Sequence, residues 1–420
     1  MQKLLTYKNG LRVVVDTMPG VKTVSSGIWV GVGSGKETPD INGLSHFTEH
    51  MIFKGTDKLS AYDIANKFES MGAHVNAFTS KAATCYYVKS IDEYFGKCFD
   101  TLAHIFFDSK FDDKELNKER KVILEEINMV EDSPEDICYD LLAKCLYGDT
   151  AIGQTILGSI DNVKRFKSTD VKNFINRFYC ANQMVISFAG NINEDQVDAL
   201  VKKHVLPKLN TNIDDSKETK KITVKRNHVE RIKDFEQSNI VLSFPSIEFD
   251  NELSSTQNVL NAIMGGGMSS RLFQTIREKM GLAYSVYTSP SAHLYNGSFN
   301  VVLNISPENT DKALQAVMSE IKKVVTGDIK KAEVDRAKVQ LKSSLIYSRE
   351  NVQSVMIAGG RMMLGANKQY DINDRIKMID SVTLTGVNKF AKDIFTDSAM
   401  CSSYVGKAYK ADFSKLLLCR

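Results

Sequence analysis

An internal repeat constrains this chain more than any other feature of its sequence. Glu69-Ser-Met71-Gly72, followed by Thr79-Ser80, is echoed by Glu278-Lys-Met280-Gly281 and Thr288-Ser289 at a constant offset of 209. Further on, Glu115-Leu-Asn-Lys-Glu-Arg120 has a likeness in Glu333-Val-Asp-Arg-Ala-Lys338, offset by 218. A shared order at a nearly constant offset indicates one unit used twice. The stretch from Pro207 to Lys221 has no aromatic residue and few apolar ones, and it reads as the join. The expected organisation is a first domain over 1–206, a linker over 207–222 and a second, homologous domain over 223–420.

Each copy mixes two periods. Leu4–Tyr7 and Arg12–Asp16 flank Asn9-Gly10, a hairpin signal, and Thr23–Val32 is a β-branched run. From Gly43 the period turns helical, with Leu44, Phe47 and Met51 before a stop at Gly55. Ala61–Met71 is a second helix closed by Gly72, Val75–Ser90 is strand-like, and 93–107 and 113–131 are long helices. A duplicated α+β chain follows.

Composition narrows the classes. With 43% hydrophobic and 25% charged residues the chain is neither disordered nor a coiled-coil rod. Fifty-four basic against 51 acidic residues leave a net charge of +3, too little to draw nucleic acid or acidic lipid. The basic stretch Lys217–Arg226 reads as solvated linker. Seven widely spaced cysteines without a Cys-x-x-Cys pair fit a reducing compartment. The first residues lack the apolar core of a signal peptide, and no 18 apolar residues run together. A cytoplasmic protein with no nucleic-acid or membrane partner is expected. Gly265-Gly-Gly267 lacks the Gly-Lys-Ser/Thr of a phosphate cradle and reads as a tight turn.

Chemistry concentrates in Gly43-Leu-Ser-His46-Phe-Thr-Glu49-His50-Met-Ile-Phe-Lys-Gly55. Residues four apart share a helix face, so His46 and His50 can offer two imidazoles to one metal ion, with Glu49 within reach of a water on it. Two histidines and a carboxylate would be costly to bury unpaired. A catalytic zinc takes three protein ligands and keeps one position open. In the helix over 114–132, Leu116, Ile123, Ile127 and Val130 mark the buried stripe, and Glu119 and Glu126 fall on it, whereas Glu125 reads as solvated. A metal answers the need of Glu126 for a cation, and Glu119 suits a supporting place behind the ligands.

His-x-x-Glu-His is the inverted form of the thermolysin-type motif. With Gly-Leu before it and Met-x-Phe-Lys-Gly-Thr after, the string resembles the pitrilysin-like zinc metallopeptidases, in particular the branch of mitochondrial processing peptidases and bacterial relatives. The resemblance runs over essentially the whole chain. It implies a third ligand 76 positions after the second histidine, which is Glu126, and a supporting acid seven earlier, which is Glu119. It implies that Gly72–Thr79, with Asn76, Ala77 and Phe78, is an edge strand to which an extended peptide adds by backbone pairing, His74 being structural. It likewise implies that Arg277 and Tyr284 contact substrate backbone opposite the metal.

The implied architecture is two similar α/β-sandwich domains, each a mostly antiparallel sheet covered by helices. Two such chains would pair as a homodimer around a chamber for short or unfolded peptides, Arg277 and Tyr284 of each serving the other's metal. The repeat puts Ser255, Asn258 and Val259 where the first copy has His46, Glu49 and His50, and Ala337 and Ser344 where it has Glu119 and Glu126, so the second copy carries no metal. The expected activity is that of a zinc-dependent endopeptidase with one Zn2+ per chain on His46, His50 and Glu126, and Glu49 as general base. Iron or manganese suits the same groups. The rival within the family, a non-catalytic structural subunit, usually loses the metal residues that this chain keeps.

Overall fold

The computed structural model describes residues 2–209, 221–409 and 413. Most of the expected linker, and Cys419, lie outside the described residues. Along the first copy run β1 (Lys3–Thr6), β2 (Arg12–Thr17), β3 (Thr23–Val30), α1 (Leu44–Ile52), α2 (Ala61–Glu69), β4 (His74–Thr79) and β5 (Thr84–Ile91). There follow α3 (Phe95–Asp108), α4 (Asp113–Glu131), α5 (Pro134–Tyr147), α6 (Ile160–Arg165), α7 (Ser168–Phe178), β6 (Met184–Gly190) and α8 (Glu194–His204). The run Val75–Ser90 is thus two strands rather than one, because Ser80–Ala83 closes a turn in which Ser80 N–H donates to the Ala83 carbonyl at 2.8 Å. The second copy begins with β7 (Asn227–Ile232), β8 (Ser238–Ser246), α9 (Ser254–Met264), a π-helical turn at Phe273–Lys279, β9 (Ala283–Ala292) and β10 (Gly297–Ile305). It ends with α10 (Thr310–Val325), α11 (Lys331–Arg349), α12 (Val352–Ala366), α13 (Ile372–Ser381), α14 (Leu384–Ile394) and β11 (Cys401–Gly406). The duplication holds at the level of elements: α4 and α11 have 19 residues each and start 218 apart.

The first sheet has the strand order β1-β2-β6-β3-β5-β4 and the second β7-β11-β8-β10-β9. Pairing is antiparallel except between β2 and β6 and between β7 and β11. Contacts divide the chain into two compact units, Met1–Ile127 with Gln154–Glu218 and Tyr347–Asp371, and Asn128–Gly153 with Thr219–Ile346 and Ile372–Arg420. Helix α5, encoded in the first copy, therefore belongs to the second unit, and α12, encoded in the second copy, to the first.

This exchange explains why the strands read as continuous apolar runs. In β2, Val13 and Val15 face the main core with Phe47, Phe99 and Ile123, while Val14 faces the opposite side with Trp29, Met356 and Met363. Both faces are covered, so alternation with polar residues is lost. In the second unit, Ile240, Leu242 and Phe244 of β8 face one core and Val241 packs with Ile137, Cys138 and Leu142 of α5. The six described cysteines are buried free thiols. Among the described residues no helix is long and apolar enough to cross a membrane.

Helix α12 can lie on the first sheet only because it is small where it crosses Trp29. A Cβ on Gly360 would stand 2.1 Å from Trp29 Nε1 and 2.8 Å from Ser187 Oγ, the two atoms joined by a 2.8 Å hydrogen bond. Helix propensity alone would make Gly360→Ala stabilising by about 1 kcal/mol. The steric conflict wins, and the variant is expected to lose roughly 1–3 kcal/mol in urea unfolding; a gain in stability would refute this packing account.

Candidate metal centre

The start of α1 is shaped by a close approach. Gly43 has φ +99°, and a Cβ there would stand 2.6 Å from the Leu157 carbonyl oxygen, so the position demands glycine. Glycine brings no side chain to cap the exposed N–H groups of the first turn. Glu37 fills that role from outside the helix, its Oε2 accepting from Gly43 N–H at 2.7 Å and its Oε1 from Ser45 N–H at 2.6 Å. Leu44, Phe47, Met51 and Ile52 turn one face of α1 into the core. His46, Glu49 and His50 are half-buried on the other.

His46 Nε2 and His50 Nε2 stand 3.2 Å apart, and Glu126 Oε2 lies 3.6 Å from the first and 3.5 Å from the second. Two imidazole nitrogens bound to one tetrahedral zinc at about 2.05 Å would be roughly 3.3 Å apart. All three donor atoms lie within 4.8 Å of one another, and no other such group of His, Cys, Asp or Glu occurs among the described residues. The Glu126 side chain keeps 36% of its surface exposed, so one side of the group stays open to solvent. The donor set and its spacing fit zinc.

Behind the histidines, His50 Nδ1–H donates to Glu119 Oε1 at 2.7 Å, which turns the lone pair of Nε2 toward His46 and Glu126. The Glu119 side chain is only 6% exposed, and Lys54 Nζ meets its other oxygen at 2.7 Å. Lys54 was not singled out by its sequence pattern, although its place eight residues after His46, two past the end of the same helix, puts it in reach of α4. Burial would raise the Glu119 pKa, yet the bonds from His50 and Lys54 prevail and hold it below the ordinary value. On His46, burial disfavours the charged ring and His50 adds to the effect, so its pKa falls to about 3 and the ring is neutral near pH 7. For His50 burial acts in the same sense, but the bond to Glu119 and the charges of Glu126, Glu119 and Glu49 outweigh it and push the pKa up.

Glu49 accepts a hydrogen bond from Thr79 Oγ1, at the end of β4. Burial pushes the Glu49 carboxyl above its ordinary range, against the opposing pull of that bond. β4 is the edge of the first sheet, paired through Asn76 with Tyr87, Ala77 with Tyr86 and Phe78 with Cys85. The Ala77 N–H donates to Asn76 Oδ1 at 2.8 Å. Arg277 and Tyr284 lie in the second unit, and the Arg277 guanidinium rests over the rings of Phe273 (4.9 Å) and Tyr284 (6.0 Å). Tyr284 is 73% exposed. Glu125 is exposed on α4.

Replacing Lys54 by Met would leave the buried Glu119 carboxylate with a single donor. Loss of a charged hydrogen bond predicts about 2 kcal/mol of destabilisation in urea unfolding of the metal-free protein. A loss below about 0.5 kcal/mol, the usual size for an exposed ion pair, would mean that Lys54 is only a surface charge.

The family model described as insulinase, peptidase family M16, matches residues 12–159, and that of the peptidase M16 inactive domain matches residues 165–341. An uncharacterized zinc protease of Bacillus subtilis is 37% identical over 94% of this chain and 96% of its own. One from Streptomyces coelicolor is 35% identical over 93% of this chain and 86% of its own. Among solved structures, a protease from Helicobacter pylori superimposes with a TM-score of 0.91 at 21% identity, over 97% of this chain and 99% of that one. A peptidase M16 inactive domain from Pseudomonas fluorescens reaches 0.90 at 19% identity, over 98% and 99%, so the two-unit fold is shared well beyond recognisable sequence. With both of its halves matched and its relatives aligned over nearly their full lengths, this chain belongs to peptidase family M16.

Proposed function

We propose that this chain is a zinc-dependent endopeptidase, its zinc held by His46, His50 and Glu126. The observation that carries the reading is the convergence of those three donor atoms within 4.8 Å, open on one side and next to Glu49. The zinc-protease names of its relatives support it. When bound, the metal supplies Lewis acidity, polarising the scissile carbonyl and making a water acidic near neutrality. Glu49 takes the proton of the attacking water and passes it to the leaving amine. Glu119 and Lys54 hold His50 in the tautomer that a ligand needs.

The substrate is an extended peptide that adds to the open edge of β4 along Asn76–Phe78, which gives affinity through the backbone without demanding a sequence. Arg277 presents donors that make no ion pair among the described residues and so suits a substrate carbonyl or carboxylate. Two chains form a homodimer in which Arg277 and Tyr284 of one serve the metal of the other. The enclosed space admits short or unfolded peptides in the cytoplasm. The duplicated units of sequence are 1–206 and 223–420, the first bearing one zinc and the second none.

Metal content and cleavage of a mixed peptide library test the reading together. Glu49→Gln is expected to keep stoichiometric zinc and lose turnover by about 100-fold or more. His46→Ala should lose both metal and activity, and a chelator should abolish cleavage by the unmodified protein until zinc is restored. Normal turnover by Glu49→Gln would remove the mechanism.

A further inference from the structure

The two histidines of α1 are held by different means. His50 is oriented through its ring, by the 2.7 Å bond to Glu119. His46 Nδ1 is buried and has no hydrogen-bond partner among the described residues. No bond behind the ring anchors it as Glu119 anchors His50, so its place depends on the backbone that carries it.

That backbone is set by Glu37. The residue is only 2% exposed and pairs with no cation among the described residues; its donors are Gly43 N–H, Ser45 N–H and Asn42 Nδ2 (3.1 Å). A buried carboxylate without a counter-ion is an expensive choice for a helix cap, tolerable here because three N–H groups and the positive end of the α1 dipole face it. The segment that carries it is itself anchored. Asn42 Nδ2 also reaches the Thr155 carbonyl, and Asn162 Nδ2 the Pro39 and Asn42 carbonyls, each at 2.9 Å. Gly43 lies against Leu157 and Gly158 so closely that no larger residue fits. The start of α1, up to the residue before His46, is thus clamped to the preceding loop through one side chain.

We propose that Glu37 is a positioning residue for the metal: it fixes the rotation and depth of α1 and thereby the place of His46 Nε2, the ligand whose ring has no hydrogen bond behind it at Nδ1. The inference rests on the zinc reading above. Metal sites need their ligands held to within about half an ångström, and an uncapped first turn would loosen the backbone that carries His46.

The test is zinc affinity of the metal-free protein, by competition with a chromogenic chelator, alongside the melting temperature without metal. Glu37→Gln keeps one carbonyl acceptor but turns an amino group toward an N–H donor, and it is expected to bind zinc about tenfold or more weaker. Ser60→Ala is the control for capping as such. Ser60 caps α2, accepting from Asp63 N–H at 3.2 Å, and its loss should lower the melting temperature with zinc affinity unchanged. If Glu37→Gln lowers the melting temperature but binds zinc within about twofold of the unmodified protein, Glu37 is a cap only and the proposal falls. Should Glu37→Gln not fold, Asn42→Ala removes one of the three donors and is expected to weaken zinc by about threefold; unchanged affinity there overturns the proposal equally. An unmodified protein that binds no zinc would locate the failure in the metal reading itself.

Discussion

His46 Nε2, His50 Nε2 and Glu126 Oε2 face one another across about 3.5 Å, and His50 is held from behind through Nδ1 by Glu119. Positive charge between them, a proton on His50 or a metal ion in its place, is what these groups need. The surrounding packing enforces the arrangement. α1 cannot roll away, because Leu44, Phe47 and Met51 are in the core, and α4 cannot turn, because Leu116 and Ile123 are buried on the face that presents Glu119 and Glu126. The core thus holds the carboxylates and imidazoles in register with one another, so the geometry a divalent ion would need exists before any ion binds.

The same reasoning explains the exchange of helices. Each sheet has two apolar faces, and the helices lying between consecutive strands of its own copy cover only one. The outer face of the first sheet, with Val14, Trp29, Cys85 and Val185, is closed by α12, and that of the second, with Val241, Val302, Cys401 and Val405, by α5. Neither copy of the repeat carries enough surface to bury both sides of its own sheet. Each compact unit is therefore built from both copies of the repeat, despite the chain reading as two similar halves.

Much of this is legible in the sequence. The Asn9-Gly10 hairpin, the period of α1 and the limits of α4 follow from local chemistry, and the 218 offset pairs α4 with α11 residue for residue. Glu119 and Glu126 stand out because charge on a buried stripe requires a partner. The exchange of α5 and α12 does not stand out, because an apolar helix face says that it is covered and not by what. The split of Val75–Ser90 into β4 and β5 is hidden as well: Ser80-Lys-Ala-Ala83 carries neither Gly nor Pro, and a side-chain hydrogen bond from Ser80 to the Ala83 carbonyl (2.9 Å) does the turning. Lys54 and Glu37 act through partners distant in sequence or through backbone N–H groups, and neither makes a periodic pattern. Glu37 does leave a trace, since a glycine at a helix start has no side chain to cap with, and an acid a few residues upstream is the natural substitute.

The bond from Thr79 to Glu49 joins the two halves of the proposed reaction. Thr79 closes β4, the edge along which a peptide would pair, and its hydroxyl donates to the carboxylate that would take the proton. Burial pushes the Glu49 carboxyl up, toward the range in which a general base is strongest while still ionised, and Thr79 checks that rise. A peptide that stiffens β4 also stiffens Thr79, and with it the orientation of the base. A hydrogen bond that weakened in the bound state would leave Glu49 more basic at the moment a proton is to be taken, whereas one that tightened would fix its direction at some cost in basicity. Either way the hydroxyl couples the proposed peptide edge to the proposed base, so orientation and basicity of Glu49 cannot be set independently.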